Sequence, residues 1–123
     1  MMLYLTHEDV VRIEQVKAIL DREFYKHHTC TGLAGVVGTN ANKLKLTFKA
    51  HTTQNIYEYL TTVRIAKAKD LLENTALSID IVARRVGLDK SNLNKQFKRL
   101  MGTTPIAWKR MQQKGWVLYW GKK

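Results

Sequence analysis

One pattern, repeated 49 positions along, leaves few folds open to this chain. Leu33-Ala34-Gly35-Val36-Val37-Gly38, followed by Leu44 and Phe48-Lys49, returns as Val82-Ala83-Arg84-Arg85-Val86-Gly87, followed by Leu93 and Phe97-Lys98. Each copy reads as a short helix ending in a glycine turn, then a second helix whose Leu and Phe, four apart, share one face. That is the pattern of a helix-turn-helix. With a single proline in 123 residues and no succession of short alternating strands, the expected fold class is all-α.

The rest of the chain supplies helices around the two copies. Thr6-His7-Glu8-Asp9 predicts a helix start, with Thr6 as N-cap and acids where the helix dipole is positive. Val10, Ile13, Val16, Ile19 or Leu20, and Phe24 carry its apolar stripe to about Lys26. His27 to Cys30 form a connection, and a short helix follows from about Thr31 to Val37. Gly32 and Gly35 weaken it by roughly 1 kcal/mol each against alanine, which leaves close packing, simple tolerance or deliberate softness as readings. Gly38 ends this helix, and Asn40 caps the next from Ala41 to about Ala50.

Ile56 to Asn74 is the longest uninterrupted helical stretch, with Ile56, Leu60, Val63, Ala66 or Lys67, and Leu71 as its stripe. It is expected to be a rigid strut of roughly 28 Å between the motifs. Ser78 and Asp80 open the second motif, Gly87 closes its first helix, and Asp89 caps a helix running to about Met101. Gly102 stops that helix, and Thr104-Pro105 starts a last one. The expected organisation is therefore 1–55 for the first motif with its leading helix, 56–74 for the linker helix, 75–112 for the second motif and closing helix, and 113–123 for a tail.

Charge narrows the partner. Lys and Arg number 21 against 10 Asp and Glu, a formal net charge of +11. Lys43, Lys45, Lys49, Arg64, Lys67, Lys69, Arg84, Arg85, Lys90, Lys95, Lys98, Arg99, Lys109 and Arg110 alternate with apolar residues at helical spacing, so folded helices with one cationic face are expected. Such a surface suits a polyanion, and DNA is the first to consider. No run of about eighteen apolar residues is present for a membrane span, and Met1 to His7 lack the pattern of a signal peptide. A lone cysteine, Cys30, excludes an internal disulfide, and a cytoplasmic location is expected.

If Leu44/Phe48 and Leu93/Phe97 point inward, the outward stripes are Asn42, Lys45, Leu46 and Lys49 in the first copy and Ser91, Asn94, Lys95 and Lys98 in the second. Asn suits the adenine edge, Lys the guanine acceptors, and Ser either. Lys43, Lys49, Lys98 and Arg99 are assigned to phosphates, which set register without choosing sequence.

From about Arg12 to Arg110 the chain resembles the DNA-binding domain of the AraC/XylS family of bacterial transcription regulators. The resemblance rests on Leu33-Ala34…Gly38…Leu44…Phe48-Lys49, on Tyr59-Leu60…Arg64…Ala68…Leu71-Leu72, and on Ser78-Ile79…Val82-Ala83…Val86-Gly87…Leu93…Phe97-Lys98…Gly102-Thr103-Thr104-Pro105. It implies about seven helices in two helix-turn-helix subdomains joined by a long linker helix, with two recognition helices entering successive major grooves of double-stranded DNA. It also implies base reading by Ala41, Asn42, Lys45 and Leu46, and by Lys90, Ser91, Asn92 and Lys95. Leu46 stands where the family often carries Arg or a polar residue, which leaves two readings for the first motif, contact with a thymine methyl or little contribution. Thr53 replaces the glycine that Gly102 supplies in the other copy, and Trp108 stands where Tyr is usual.

The function expected from the resemblance is a non-enzymatic transcriptional activator, nucleoid-associated and contacting RNA polymerase, with no cofactor. Most members place an effector-binding or dimerising domain ahead of this unit. Here the chain begins almost at the first helix, so a short natural member and a part of something longer both stay open, and no small-molecule effector is assigned. An enzyme or metal protein would lean on His27, His28 and Cys30, but no second pair completes a zinc set and no acid is poised to orient a histidine. The remaining alternative is a protein-interaction module of the same fold that binds a regulator or RNA polymerase without reading DNA. Trp116-Val117-Leu118-Tyr119-Trp120 supports that idea, although the same segment also suits folding back, disorder or an oligomer contact.

Overall fold

The computed structural model describes residues 4–112, and every regular element among them is a helix. These are α1 (His7–Arg22), α2 (Cys30–Val37), α3 (Ala41–Thr52), α4 (Ile56–Asn74), α5 (Ile79–Arg85) and α6 (Lys90–Met101), followed by α7 over 105–112. Side-chain caps set most of the starts. Thr6 and Asp9 form a reciprocal capping box on α1, Thr29 caps α2, Asn40 caps α3, Ser78 caps α5 and Asp89 caps α6. Asn55 and Glu58 exchange backbone-to-side-chain bonds of 3.0 and 2.8 Å at the start of α4, the same reciprocal device.

Where the chain must reverse its backbone, it uses φ near +80°. Gly38 after α2 and Gly102 after α6 both sit at 79°, the left-handed cap that lacks a steric penalty only for glycine. Thr53, the counterpart of Gly102 in the first copy, adopts φ 66° after α3.

The chain divides into two compact units, one up to Val63 and one from Arg64, so the division falls inside α4. In the first unit, Ile13, Val16 and Leu20 of α1, Leu33 and Ala34 of α2, Leu44 and Phe48 of α3, and Ile56 and Leu60 of α4 form one buried cluster. Phe48 meets Tyr59 edge-on with ring centroids 5.8 Å apart. Full burial of each large apolar side chain contributes about 1.5–3 kcal/mol.

The second unit buries Ile65, Ala68 and Leu72 of α4, Val82 and Ala83 of α5 with Val86 at its C-cap, Leu93 and Phe97 of α6, and Pro105. Trp108 closes this set. Its ring packs edge-on against Phe97 at 6.0 Å, its indole N–H donates to Glu73 Oε2 at 3.0 Å, and Lys69 lies over its face. The Lys109 ammonium donates to the Leu77 carbonyl at 2.8 Å, tying α7 to the turn before α5.

Three expectations need correction. First, α1 stops at Arg22 rather than near Lys26. The Glu23 carbonyl accepts the Lys26 N–H at 3.1 Å and lies 2.7 Å from His28 Nε2, so a turn replaces the next helical bond. Second, the buried positions of α4 are Ile56, Leu60, Thr61, Arg64, Ile65, Ala68 and Leu72, whereas Ala66 and Lys67 are exposed and Val63 and Leu71 are half-buried. A helix shared between two cores is covered on more than one side, and a single stripe does not describe it. Third, Arg64 is not on a cationic face: it is 8% exposed and has partners in that setting, since a buried guanidinium is costly unless it is paired.

Candidate nucleic-acid interface

In α3, burial of Leu44 and Phe48 turns Asn42, Lys43, Lys45, Leu46 and Lys49 to the exposed side, with Ala41 half-buried at the start. The Thr47 hydroxyl is buried and donates to the Lys43 carbonyl at 2.8 Å, so it stays within the helix and off the outer face. Leu46 is 64% exposed, a large apolar side chain on an otherwise polar face.

The equivalent geometry recurs in α6. Leu93 and Phe97 are buried, and Lys90, Ser91, Asn92, Lys95, Lys98 and Arg99 are exposed. Asn94 is half-buried, which limits its reach. Asp89 Oδ1 accepts the Asn92 N–H at 2.7 Å, and Asp89 Oδ2 accepts the Asn92 side-chain amide at 3.3 Å. Asn92 is thus occupied by the cap, and Arg99 donates to Gln96 Oε1 at 2.9 Å. Among the described residues the ammonium groups of Lys45, Lys49, Lys90, Lys95 and Lys98 have no hydrogen-bond or ion-pair partner. A chain that leaves five cations unpaired on two helix faces has kept them available to external anions.

Lys43, expected at a phosphate, is differently placed. Its ammonium lies 3.6 Å from Asp9 Oδ1. Asp9 is only 5% exposed, and it also faces Arg12 at 3.8 Å, while Arg12 Nε donates to the Val37 carbonyl at 3.3 Å. The Thr6 N–H bond holds the Asp9 carboxyl below the usual carboxylate range, with the Thr6 hydroxyl and Lys43 acting in the same direction against the effect of burial. This network joins the start of α1 to the end of α2 and the start of α3. Reading the sequence identifies Asp9 only as a cap, because no local signal links positions 9 and 43. His51, in the last turn of α3, lies 3.6 Å from Glu14 Oε1 of α1 and adds a second tie between those helices.

His27, His28 and Cys30 do not assemble into a centre. His28 is turned to the Glu23 carbonyl, Cys30 opens α2 half-buried, and no group of three or more His, Cys, Asp or Glu that could hold a metal occurs among the described residues. None of the described helices is long and apolar enough to cross a membrane. Trp116 to Trp120 lie outside the described residues.

A family model described as a helix-turn-helix domain matches residues 33–111. The chain is 35% identical over 72 residues to the transcriptional activator RhaR of Enterobacter sp. strain 638, a match covering 58% of this chain and 26% of that protein. It is 28% identical over 99 residues to the Msm operon regulatory protein of Streptococcus mutans, covering 80% of this chain and 36% of that protein. It thus spans about a quarter to a third of these relatives' length. Among solved structures, it is similar to the DNA-binding domain of AdpA in complex with a target DNA, with TM-score 0.80, 24% identity, and coverage of 84% of this chain and 94% of that one. It is also similar to an AraC-type transcriptional regulator from Chromobacterium violaceum, with TM-score 0.78, 16% identity, and coverage of 87% and 96%. At these identities the structural likeness concerns the fold.

Proposed function

The chain belongs to the AraC-type family of helix-turn-helix transcription regulators, and from that premise we propose that it binds double-stranded DNA sequence-specifically through α3 and α6. The observation that carries this reading is the pair of exposed faces, each bearing amide or hydroxyl groups beside unpartnered ammonium groups, opposite a buried Leu and Phe. Helices of this width fit the major groove, where amides and ammonium groups distinguish base pairs.

In α3, Asn42 and Lys45 read base edges, Leu46 meets a thymine methyl, Ala41 allows close approach and Lys49 holds phosphate. In α6, Lys90, Ser91 and Lys95 read bases, Lys98 and Arg99 hold phosphate, and Asn92 and Asn94 contribute less because one is held by the cap and the other is half-buried. Lys43 serves the Asp9 network before any phosphate. Activation through contact with RNA polymerase extends the reading. It rests on the relatives named as transcriptional activators.

Selection of bound duplexes from random DNA by the whole chain tests the proposal. A site with two conserved half-sites is expected, one for each recognition helix. Recovery of unselected sequence would refute specific binding, and a single conserved half-site would confine reading to one motif.

A further inference from the structure

The +11 charge is not shared between the two units. Up to Val63 the sequence holds seven Lys and Arg against six Asp and Glu, and from Arg64 it holds fourteen against four. The first unit is close to neutral and the second carries nearly all of the excess.

Pairing sharpens the contrast. In the first unit Arg12 faces Glu8 and Asp9 at 3.7 and 3.8 Å, and Lys17 faces Glu14 at 3.6 Å. Arg22 and Lys26 both face Glu23, at 3.9 and 2.6 Å, and Lys43 faces Asp9 at 3.6 Å. Only Lys45 and Lys49 remain without an acidic partner among the described residues of that unit. In the second unit Arg84, Arg85, Lys90, Lys95, Lys98 and Arg110 have no hydrogen-bond or ion-pair partner among the described residues, and Arg99 is bonded only to a neutral amide.

We infer that the two units divide the work of binding: the second supplies the sequence-independent grip on phosphates, and the first seats only where its α3 matches the bases. This rests on the DNA-binding reading above and deepens it. Sequence-independent affinity comes from counterions released as cations neutralise phosphates. A unit with five of its seven cations already facing carboxylates releases few counterions and gains little from a phosphate backbone alone. Its gain must come from base edges, which are worth something only at the right sequence. On unrelated DNA the chain is therefore held mainly by the second unit, and the first adds little until its α3 matches the bases.

The test compares two whole-chain variants that each remove two exposed charges from a recognition helix, K45Q/K49Q in α3 and K98Q/R99Q in α6. Each is titrated by fluorescence anisotropy, over a range of salt, against an unrelated duplex and against the site recovered by selection. On the unrelated duplex K98Q/R99Q should reduce the slope of log K against log salt by about 1.8, the amount for two phosphates, with roughly a tenfold loss of affinity. K45Q/K49Q, which removes the two cations of the first unit without an acidic partner among the described residues, should lower slope and affinity there by clearly less than K98Q/R99Q does. Both should weaken binding to the selected site. Equal losses for the two variants on unrelated DNA, with the selected site still preferred by the parent chain, would overturn the division of labour alone. A parent chain that prefers no duplex would overturn the DNA-reading proposal itself.

Discussion

Thr53 occupies a left-handed backbone at φ 66°, a region that a β-branched residue resists because its Cβ crowds the backbone. Thr53→Gly is expected to stabilise the chain by about 1 kcal/mol, visible as a higher Tm in thermal unfolding followed by circular dichroism. An unchanged or lower Tm would mean that the threonine contacts offset the strain. The two glycines of α2 separate in a similar test. A Cβ on Gly35 would meet nothing within 4 Å, whereas one on Gly32 would lie 3.0 Å from Thr29 Oγ1, the capping oxygen that accepts the Gly32 N–H. Gly35→Ala should add up to about 1 kcal/mol, and Gly32→Ala should gain less or nothing because it crowds the cap. Equal gains from both would show that the cap yields freely. For Asp9 the folded carboxyl titrates below its ordinary 3.8, mainly through the Thr6 N–H. Its stabilisation is therefore complete above the unfolded value and is lost as pH falls through the folded one. The stability gap between the parent and Asp9→Asn should be flat near neutrality and close below about pH 4; a gap that persists in acid would assign its origin to shape, not charge.

For the recognition helices the measurable quantity is discrimination. Asn42→Ala in α3 and Lys95→Ala in α6 should each cost about 1–3 kcal/mol on the selected site and relax choice at one base pair, as read by competition among single-position variants of the duplex. Unaltered choice in both would misplace the reading faces. Much of this geometry was legible beforehand. Leu44 with Phe48 and Leu93 with Phe97 declare their inward face by spacing, and Asn40, Ser78 and Asp89 declare helix starts because their side chains serve amides within three residues. Arg64 was not legible, since nothing local distinguishes a buried guanidinium from a solvated one. Nor was the tie between Asp9 and Lys43, which depends on how α1 meets α3. The end of α1 was missed because Phe24 continues its apolar period, while the turn is decided by what bonds the Glu23 carbonyl.

At the scale of the whole molecule, the uneven charge became visible only once the division of the chain was known: Lys and Arg double from seven up to Val63 to fourteen beyond it, while Asp and Glu fall from six to four. That division falls within α4, an uninterrupted helix of 19 residues, and this has a kinetic consequence. Starting a helix is the slow, unfavourable event, while extending one adds a bond for each residue ordered. Once the core containing Ile56 and Leu60 has formed, the first turns of α4 are already wound, and the segment holding Ile65, Ala68 and Leu72 grows from an existing end without a nucleus of its own. The exposed Ala66 is the place to interrupt this inheritance: Ala66→Pro removes a ladder bond and clashes with the preceding turn, at about 3 kcal/mol or more. Refolding of the parent should proceed in one cooperative phase in stopped-flow fluorescence, and refolding of the variant in two. A single phase in both would mean that each half of α4 starts its own helix.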